Sequence, residues 1–265
     1  MKSRTVRTVV TVRDVHGDGD GHPQVALRLL GAFELCRDGK PVDLPANVQR
    51  LLAFVGLNNG VSRALTAGTL WPDVTEDLAL GSLRSAIWRL HRVCPRVLQP
   101  SRHSLTLAET VSVDVSATLA DTIYLPDIPD ATVIAAATRV AALGELLSGW
   151  YDDWVLLERE RLRQVRLHAL EDLAVSLIER GKFGAALNVA LAAIKSEPLR
   201  ESAHRLVIRV HLAEGNPGEA MRQFQAYQSL LADELGLQPS EQILRLIRPL
   251  HIRPPARREP LVTER

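Results

Sequence analysis

Apolar and polar positions alternate from Val25 to Leu44: Val25, Leu27 and Leu29, then Gly31, Phe33 and Leu35, and beyond Asp38-Gly39, Val42 and Leu44. Alternation turns one side of each segment toward a core, and Asp-Gly between two such segments favours a tight hairpin, so a small antiparallel sheet is expected here. The period then changes. Helical spacing marks Val48 to Leu57, Thr66 to Leu70 closed by Trp71 and Pro72, and Leu78 to Val93 closed by Pro95. Strand character returns over Ser101 to Val115, where Leu105 and Leu107 precede Val111, Val113 and Val115 with Glu109-Thr110 near the turn. Three helices between a leading sheet and a trailing hairpin describe a winged helix-turn-helix over residues 24–116, with the hairpin as the wing.

The turn-rich segment Leu125-Pro126-Asp127-Ile128-Pro129-Asp130 marks a boundary, after which the pattern is helical almost to Leu250. Gly181 and Gly215 lie 34 residues apart, as do Ala186 and Ala220, Leu173 and Val207, and Ile178 and Leu212. That is the period of tetratricopeptide helical hairpins, in which Gly ends the first helix and a small Ala lets the pair pack closely. A two-repeat stack needs capping helices, expected at Ala131 to Leu147 and Ser240 to Ile247. The fold class is therefore mainly α with a small β component: the winged helix-turn-helix followed by a tetratricopeptide-like α-solenoid over 117–250. Residues 1–23, ending in the Gly-, His- and Asp-rich run from His16 to Pro23, read as a flexible arm, and residues 251–265 as a flexible basic tail.

Composition narrows the classes. Aromatic residues are only 4% of the chain, which disfavours a large β-sandwich, while 46% hydrophobic content is enough for two cores. Cys36 and Cys94 are too few for a disulfide framework, so the reducing cytoplasm is expected, in association with the nucleoid. Lys2, Arg4 and Arg7 are not followed by an apolar stretch, so no secretory signal is read there. No run approaches the roughly 20 apolar residues of a membrane span, and no membrane partner is expected.

Charge is distributed unevenly. Leu78 to Ala108 contains five arginines and no acid, although the whole chain carries only +1. On the third helix Leu80, Leu83, Ile87 and Leu90 form one stripe, while Ser82, Ser85, Arg89 and Arg92 fall opposite. A helix with an aliphatic edge and a narrow face of arginine and serine suits the DNA major groove. Ser82, Ser85 and Arg89 are the candidate base readers, with Arg89 suited to guanine. Arg50, Arg63, Arg84, Trp88, Arg92, Arg102 and His103 are the candidates for the DNA backbone, where neutralised phosphates release counterions regardless of sequence. Alternatives stand beside several of these. Arg84 suits either a phosphate or an internal pair with Asp77 or Glu76, Trp88 either the sugar-phosphate backbone or packing on the wing or helix two, and His103 either DNA or plain solvent. The tail arginines Arg245, Arg248, Arg253, Arg257 and Arg258 either add unspecific affinity or are merely solvated. Trp150-Tyr151-Asp152-Asp153-Trp154 reads either as a protein-docking cluster or as a seal on the first solenoid hairpin.

Taken together, these stretches resemble the Streptomyces antibiotic regulatory protein family, an OmpR-type winged helix joined to a bacterial transcriptional activation domain. The resemblance covers roughly residues 25–248. It is carried by Glu197-Pro198-Leu199-Arg200-Glu201, by Gly215 and Ala220, and by the run from Leu230 to Ser240; in the first half it is carried by Gln49 to Ala53, Val61 to Arg63 through Leu70-Trp71-Pro72, and Ser82 to Leu90. It implies a stand-alone activator that docks on direct repeats in double-stranded DNA near promoters, as a head-to-tail dimer. It also implies recruitment of RNA polymerase, including its sigma subunit, at secondary-metabolite genes.

An enzyme is not expected. The chain has no Gly-rich phosphate loop, no His-Glu-x-x-His helix and no nucleophile elbow, so no catalytic residue, cofactor or metal is assigned. His91 and Cys94 could share a helix face, but two ligands do not make a metal site, and Cys94 reads as a small buried hydrophobe. The rival class is a protein-interaction scaffold, which would have no use for the acid-free basic segment.

Overall fold

The computed structural model describes residues 25–99, 101–116 and 129–252; the expected N-terminal arm, residues 117–128 with most of the boundary segment, and the tail arginines Arg253, Arg257 and Arg258 lie outside the described residues. The chain forms two compact units, one of residues 1–123 with 142–166, the other of 124–141 with 167–265. These units differ from an expected break at 116/117, because residues 142–166 cluster with the first.

In the first unit β1 (Val25–Arg28) pairs antiparallel with β2 (Glu34–Arg37), which pairs with β3 (Lys40–Pro41). The turn between them carries Asp38 at φ 51° and Gly39 at φ 75°, the paired left-handed conformation that Asp-Gly tolerates. α1 (Ala46–Leu57), α2 (Arg63–Leu70) and α3 (Glu76–Val93) follow. Short β4 (Val61–Ser62) pairs antiparallel with β5 (Ser104–Leu105), and β6 (Val111–Val113) pairs parallel with β1. β5 and β6 are thus not the two arms of one hairpin, as the alternation suggested. The wing is instead formed by residues 97–99 against 106–108, held by Gln99 N–H to Thr106 O at 2.8 Å and Ala108 N–H to Val97 O at 2.8 Å. Strand periodicity located the residues, but their partners depend on contacts distant in sequence.

Residues 145–148 extend the end of β1. Gly31 donates to Glu145 O at 2.7 Å, Leu147 donates to Leu29 O at 2.8 Å, and Ser148 donates to Gly31 O at 2.6 Å. The Arg159 guanidinium, on α5 (Asp153–Glu179), gathers the carbonyls of Leu146, Leu147 and Trp150 at 3.0–3.2 Å. Leu146, Leu147, Trp154, Val155 and Leu162 join the same core as Val48, Leu51, Leu83 and Leu90. Trp150 stacks on Phe33 with centroids 6.0 Å apart, and Trp154 meets Phe54 edge-on at 5.2 Å. Neither expectation for this cluster fits: both tryptophans complete the winged-helix core, while Tyr151 and Asp153 stay exposed.

The second unit holds α4 (Asp130–Ala141), α5 from Leu167 onward, α6 (Phe183–Ser196), α7 (Glu201–Ala213), α8 (Pro217–Leu235) and α9 (Glu241–Ile247). The expected helix over Ala131 to Leu147 ends at Ala141, because the residues that follow are drawn into the sheet described above. The repeat is realised as read: Gly181 at φ 69° and Gly215 at φ 77° close the first helix of each hairpin, and Ala186 and Ala220 are wholly buried. The Glu197–Glu201 motif is a joint. Arg200 binds Glu171 through two nitrogens at 2.6 and 2.9 Å, and Glu201 accepts from the Ser240 backbone at 2.8 Å at the start of α9. His204, buried, meets the Pro198 carbonyl through Nε2 at 2.8 Å and Gln223 through Nδ1 at 2.8 Å, with its ring on Tyr227. These partners require the neutral ring protonated at Nε2.

Replacing Trp154 by Ala empties a site shared with Phe54 and Trp150. Although it lies outside 24–116, this should destabilise the winged-helix unit by ~3–5 kcal/mol in a denaturant titration. Burial pushes the His204 pKa below its ordinary 6.5. Its folded value being depressed, the contribution to stability is complete above 6.5 and lost as pH falls through the folded value. NMR titration of the His204 ring should give a midpoint below 6.5, and the urea midpoint should decline from pH 6.5 downward.

Candidate nucleic-acid interface

α2 begins three residues before the expected Thr66 because Ser62 caps it: the Ser62 hydroxyl accepts from Leu65 N–H at 3.2 Å, and Thr66 Oγ1 donates to Ser62 O at 2.8 Å. This start is tied to the wing. Arg63 N–H donates to His103 O at 3.1 Å, Gly60 N–H to Leu105 O at 3.0 Å, and Leu107 N–H to Asn59 Oδ1 at 2.9 Å. The helix-turn-helix and the wing therefore form one bonded surface.

α3 carries Glu76 and Asp77 in its first turn and His91 and Arg92 in its last, the order that complements the helix dipole. Ala79, Leu83, Ala86 and Leu90 are buried, with Leu80 and Ile87 half-buried beside them. Arg84, Ser85, Trp88, Arg89, His91 and Arg92 are exposed as a result, while Ser82 is half-buried on the flank. The Ser85 hydroxyl donates to Gly81 O at 3.1 Å, which leaves its lone pairs to accept from a partner. Arg84 forms no ion pair with Glu76 or Asp77 among the described residues. Trp88 is 59% exposed and does not fill the space under the wing or helix two; instead the Arg92 guanidinium lies 5.0 Å from its ring centroid.

At the wing tip Arg102 and His103 are exposed, and Ser101 and Ser104 share a hydroxyl contact at 3.1 Å. A cleft of about 390 Å³ separates Ile87 and His91 of α3 from Leu98, Gln99 and Arg102 of the wing. Cys94, at the end of α3, is buried as expected, and burial raises its thiol pKa.

Two arginines expected on the DNA backbone are otherwise engaged. Arg50 pairs with Asp152 at 2.5 Å and its Nε is buried without a partner among the described residues, so that side chain is an internal tie. Arg63 is half-buried, and its Nε and one terminal nitrogen donate to Ser101 O at 3.3 and 2.9 Å. It holds the wing loop instead of standing free. Both look surface-exposed in sequence, because partners 102 and 38 residues away leave no local pattern. Leu78 was passed over: it is 62% exposed at the head of the same column as Ser82, Ser85 and Arg89. Its spacing from those residues is a signal that the sequence does contain.

Residues 135–251 match the family described as bacterial transcriptional activator domain. Regulatory protein AfsR of Streptomyces coelicolor is 28% identical over 232 residues, covering 80% of this chain and 22% of the relative. The chain thus spans about a fifth of that protein's length. The structure of Mycobacterium tuberculosis EmbR, solved with a low-affinity phosphopeptide, superposes with a TM-score of 0.68 at 21% identity, over 88% of this chain and 66% of that one. That likeness establishes the fold, a winged helix with tetratricopeptide-like helices.

Replacing Arg63 by Ala removes the two side-chain bonds to Ser101. Amide exchange at residues 101–104 should accelerate about fivefold or more, the equivalent of losing ~1 kcal/mol of local stability.

Proposed function

We propose that this chain is a sequence-specific DNA-binding transcriptional activator of the Streptomyces antibiotic regulatory protein type, a reading that the matched activator domain and the likeness to AfsR support. The observation that carries this reading is the outward face of α3: Arg84, Ser85, Arg89 and Arg92 exposed together within a segment that contains no acid from Leu78 to Ala108. Arg89 presents a bidentate donor pair of the kind that matches guanine O6 and N7, and Ser85 one turn earlier offers an acceptor. Ser82, on the half-buried flank, contributes at the margin of the reading face.

Affinity comes mainly from phosphate contacts. Arg84, Arg102 and His103 are the proposed backbone contacts, a reading that their exposure supports. Arg92 lies against the exposed Trp88, which orders the guanidinium and reduces the entropy lost when it binds a phosphate. With the wing loop tied to α2 by Arg63, Arg102 approaches an adjacent groove from a surface continuous with α3.

The matched activator domain supports a role in transcription; binding on direct repeats near promoters as head-to-tail dimers, with RNA polymerase and its sigma subunit as partners, is part of the proposal. Secondary-metabolite genes in the cytoplasmic nucleoid are the proposed targets. No described helix is long and apolar enough to cross a membrane.

A gel-shift against upstream regions of neighbouring genes, run at two salt concentrations, tests the reading: retention must be specific and weaken with salt. Arg89→Ala should cost ~1–3 kcal/mol and relax sequence preference, and Arg102→Ala should weaken all sequences alike and lower the salt slope by about one counterion. Equal affinity for unrelated DNA at every salt would leave the reading without support.

A further inference from the structure

The aliphatic side chains of α3 divide between core and surface with two departures, Leu78 in the first turn and Val93, 44% exposed, at the last position. Leu83 and Leu90 are buried and Leu80 and Ile87 half-buried, whereas Leu78 is 62% exposed. Leu78 precedes Ser82, Ser85 and Arg89 by four, seven and eleven residues, offsets that stack on one side of a helix. It therefore heads the column proposed to read bases. Leu65 and Val74 are also exposed, at 59% and 45%, but they belong to α2 and the turn and are not on this column.

A leucine offers no hydrogen bond to a base edge. The major groove holds one apolar feature that it can match, the C5-methyl of thymine. Along the axis Leu78 is about 10 Å from Ser85 and about 16 Å from Arg89. At about 3.4 Å per base pair these separations cover about three pairs to Ser85 and about five to Arg89. Glu76 and Asp77 in the same turn repel phosphate, so this end of α3 gains little from backbone charge and depends on apolar contact.

We infer that Leu78 is a specificity-determining residue that packs on a thymine methyl group about five base pairs from the guanine read by Arg89. The inference rests on the DNA-binding reading above.

The operator is selected from a randomised duplex library with the full chain, and each thymine is then replaced singly by deoxyuridine, which deletes only the methyl group. One position at the stated distance from the essential guanine should lose about three- to tenfold in affinity, the scale of one buried methyl or methylene group. Leu78→Ala should lose a similar factor on the thymine operator and become indifferent to uracil at that position. Because Leu78 is exposed, the variant's unfolding temperature should match that of the parent chain. If Arg89→Ala relaxes the selected operator while every uracil exchange affects parent and Leu78→Ala alike, Leu78 is off the bases and only this inference falls. If the library enriches no site, the DNA reading and the inference fall together.

Discussion

Burial of Ala79, Leu83, Ala86 and Leu90 against α1 and α2 fixes the rotation of α3 about its own axis. Everything proposed for the DNA face follows from that angle. Successive residues on a helix are separated by about 100°, so a shift of one position in the buried set would turn Arg89 toward the core and a leucine toward solvent. With four small or branched apolar residues seated, Arg84 and Arg89 are left facing solvent and Arg92 lies against the exposed Trp88 ring. The core thus selects the reading face, and the charge on that face is left uncompensated because α3 has no acid after its first turn.

The arginines show how far charge alone misleads. Arg50, Arg63, Arg84, Arg92 and Arg102 are alike in composition, but they divide by what their nitrogens touch. Arg50 neutralises Asp152 with its Nε buried, and Arg63 spans the gap to the Ser101 carbonyl. Both are consumed in building the surface on which the others stand. Arg159 has a similar part, gathering the carbonyls of Leu146, Leu147 and Trp150 in the segment that bonds to the sheet end through Glu145 O and the Leu147 and Ser148 N–H groups. A guanidinium with several donors in a fixed fork is well suited to collecting carbonyl oxygens where backbone would otherwise lack partners.

Much of the fold was legible in the sequence, for reasons that can be located. The Asp38-Gly39 turn, α1, α3 and the 34-residue spacing between Gly181 and Gly215 all rest on local periodicity or on a backbone conformation that one residue type favours. The illegible parts rest on contacts between distant residues. β6 joins β1 in parallel, β5 joins β4, and residues 145–148 leave the helical pattern to bond at Leu29 and Gly31. At the candidate interface the same division holds: the exposure of Arg84, Arg89 and Arg92 follows from the period of α3, whereas the engagement of Arg50 and Arg63 requires partners that no window around them contains. Leu78 is the opposite case, since its spacing from Ser82, Ser85 and Arg89 lies within one window of α3.

The most recognisable residues of the second unit have a different meaning from those of the first. Arg200 binds Glu171, Glu201 accepts from the start of α9, the Pro198 carbonyl satisfies His204, and the Leu199 carbonyl accepts from the Tyr227 hydroxyl at 3.4 Å. Pro198, Leu199, Arg200 and Glu201 of that motif are each thereby tied to a joint between helices. A buried or half-buried polar group without its partner is costly, which is reason enough for these residue types to occur together whatever the unit binds. The resemblance they carry therefore identifies a way of stacking helices, and the chemistry of any partner must be sought among exposed side chains that the motif does not include. In the first unit the order is reversed: the packing residues of α3 are generic aliphatics, and its individuality lies in the few side chains turned outward.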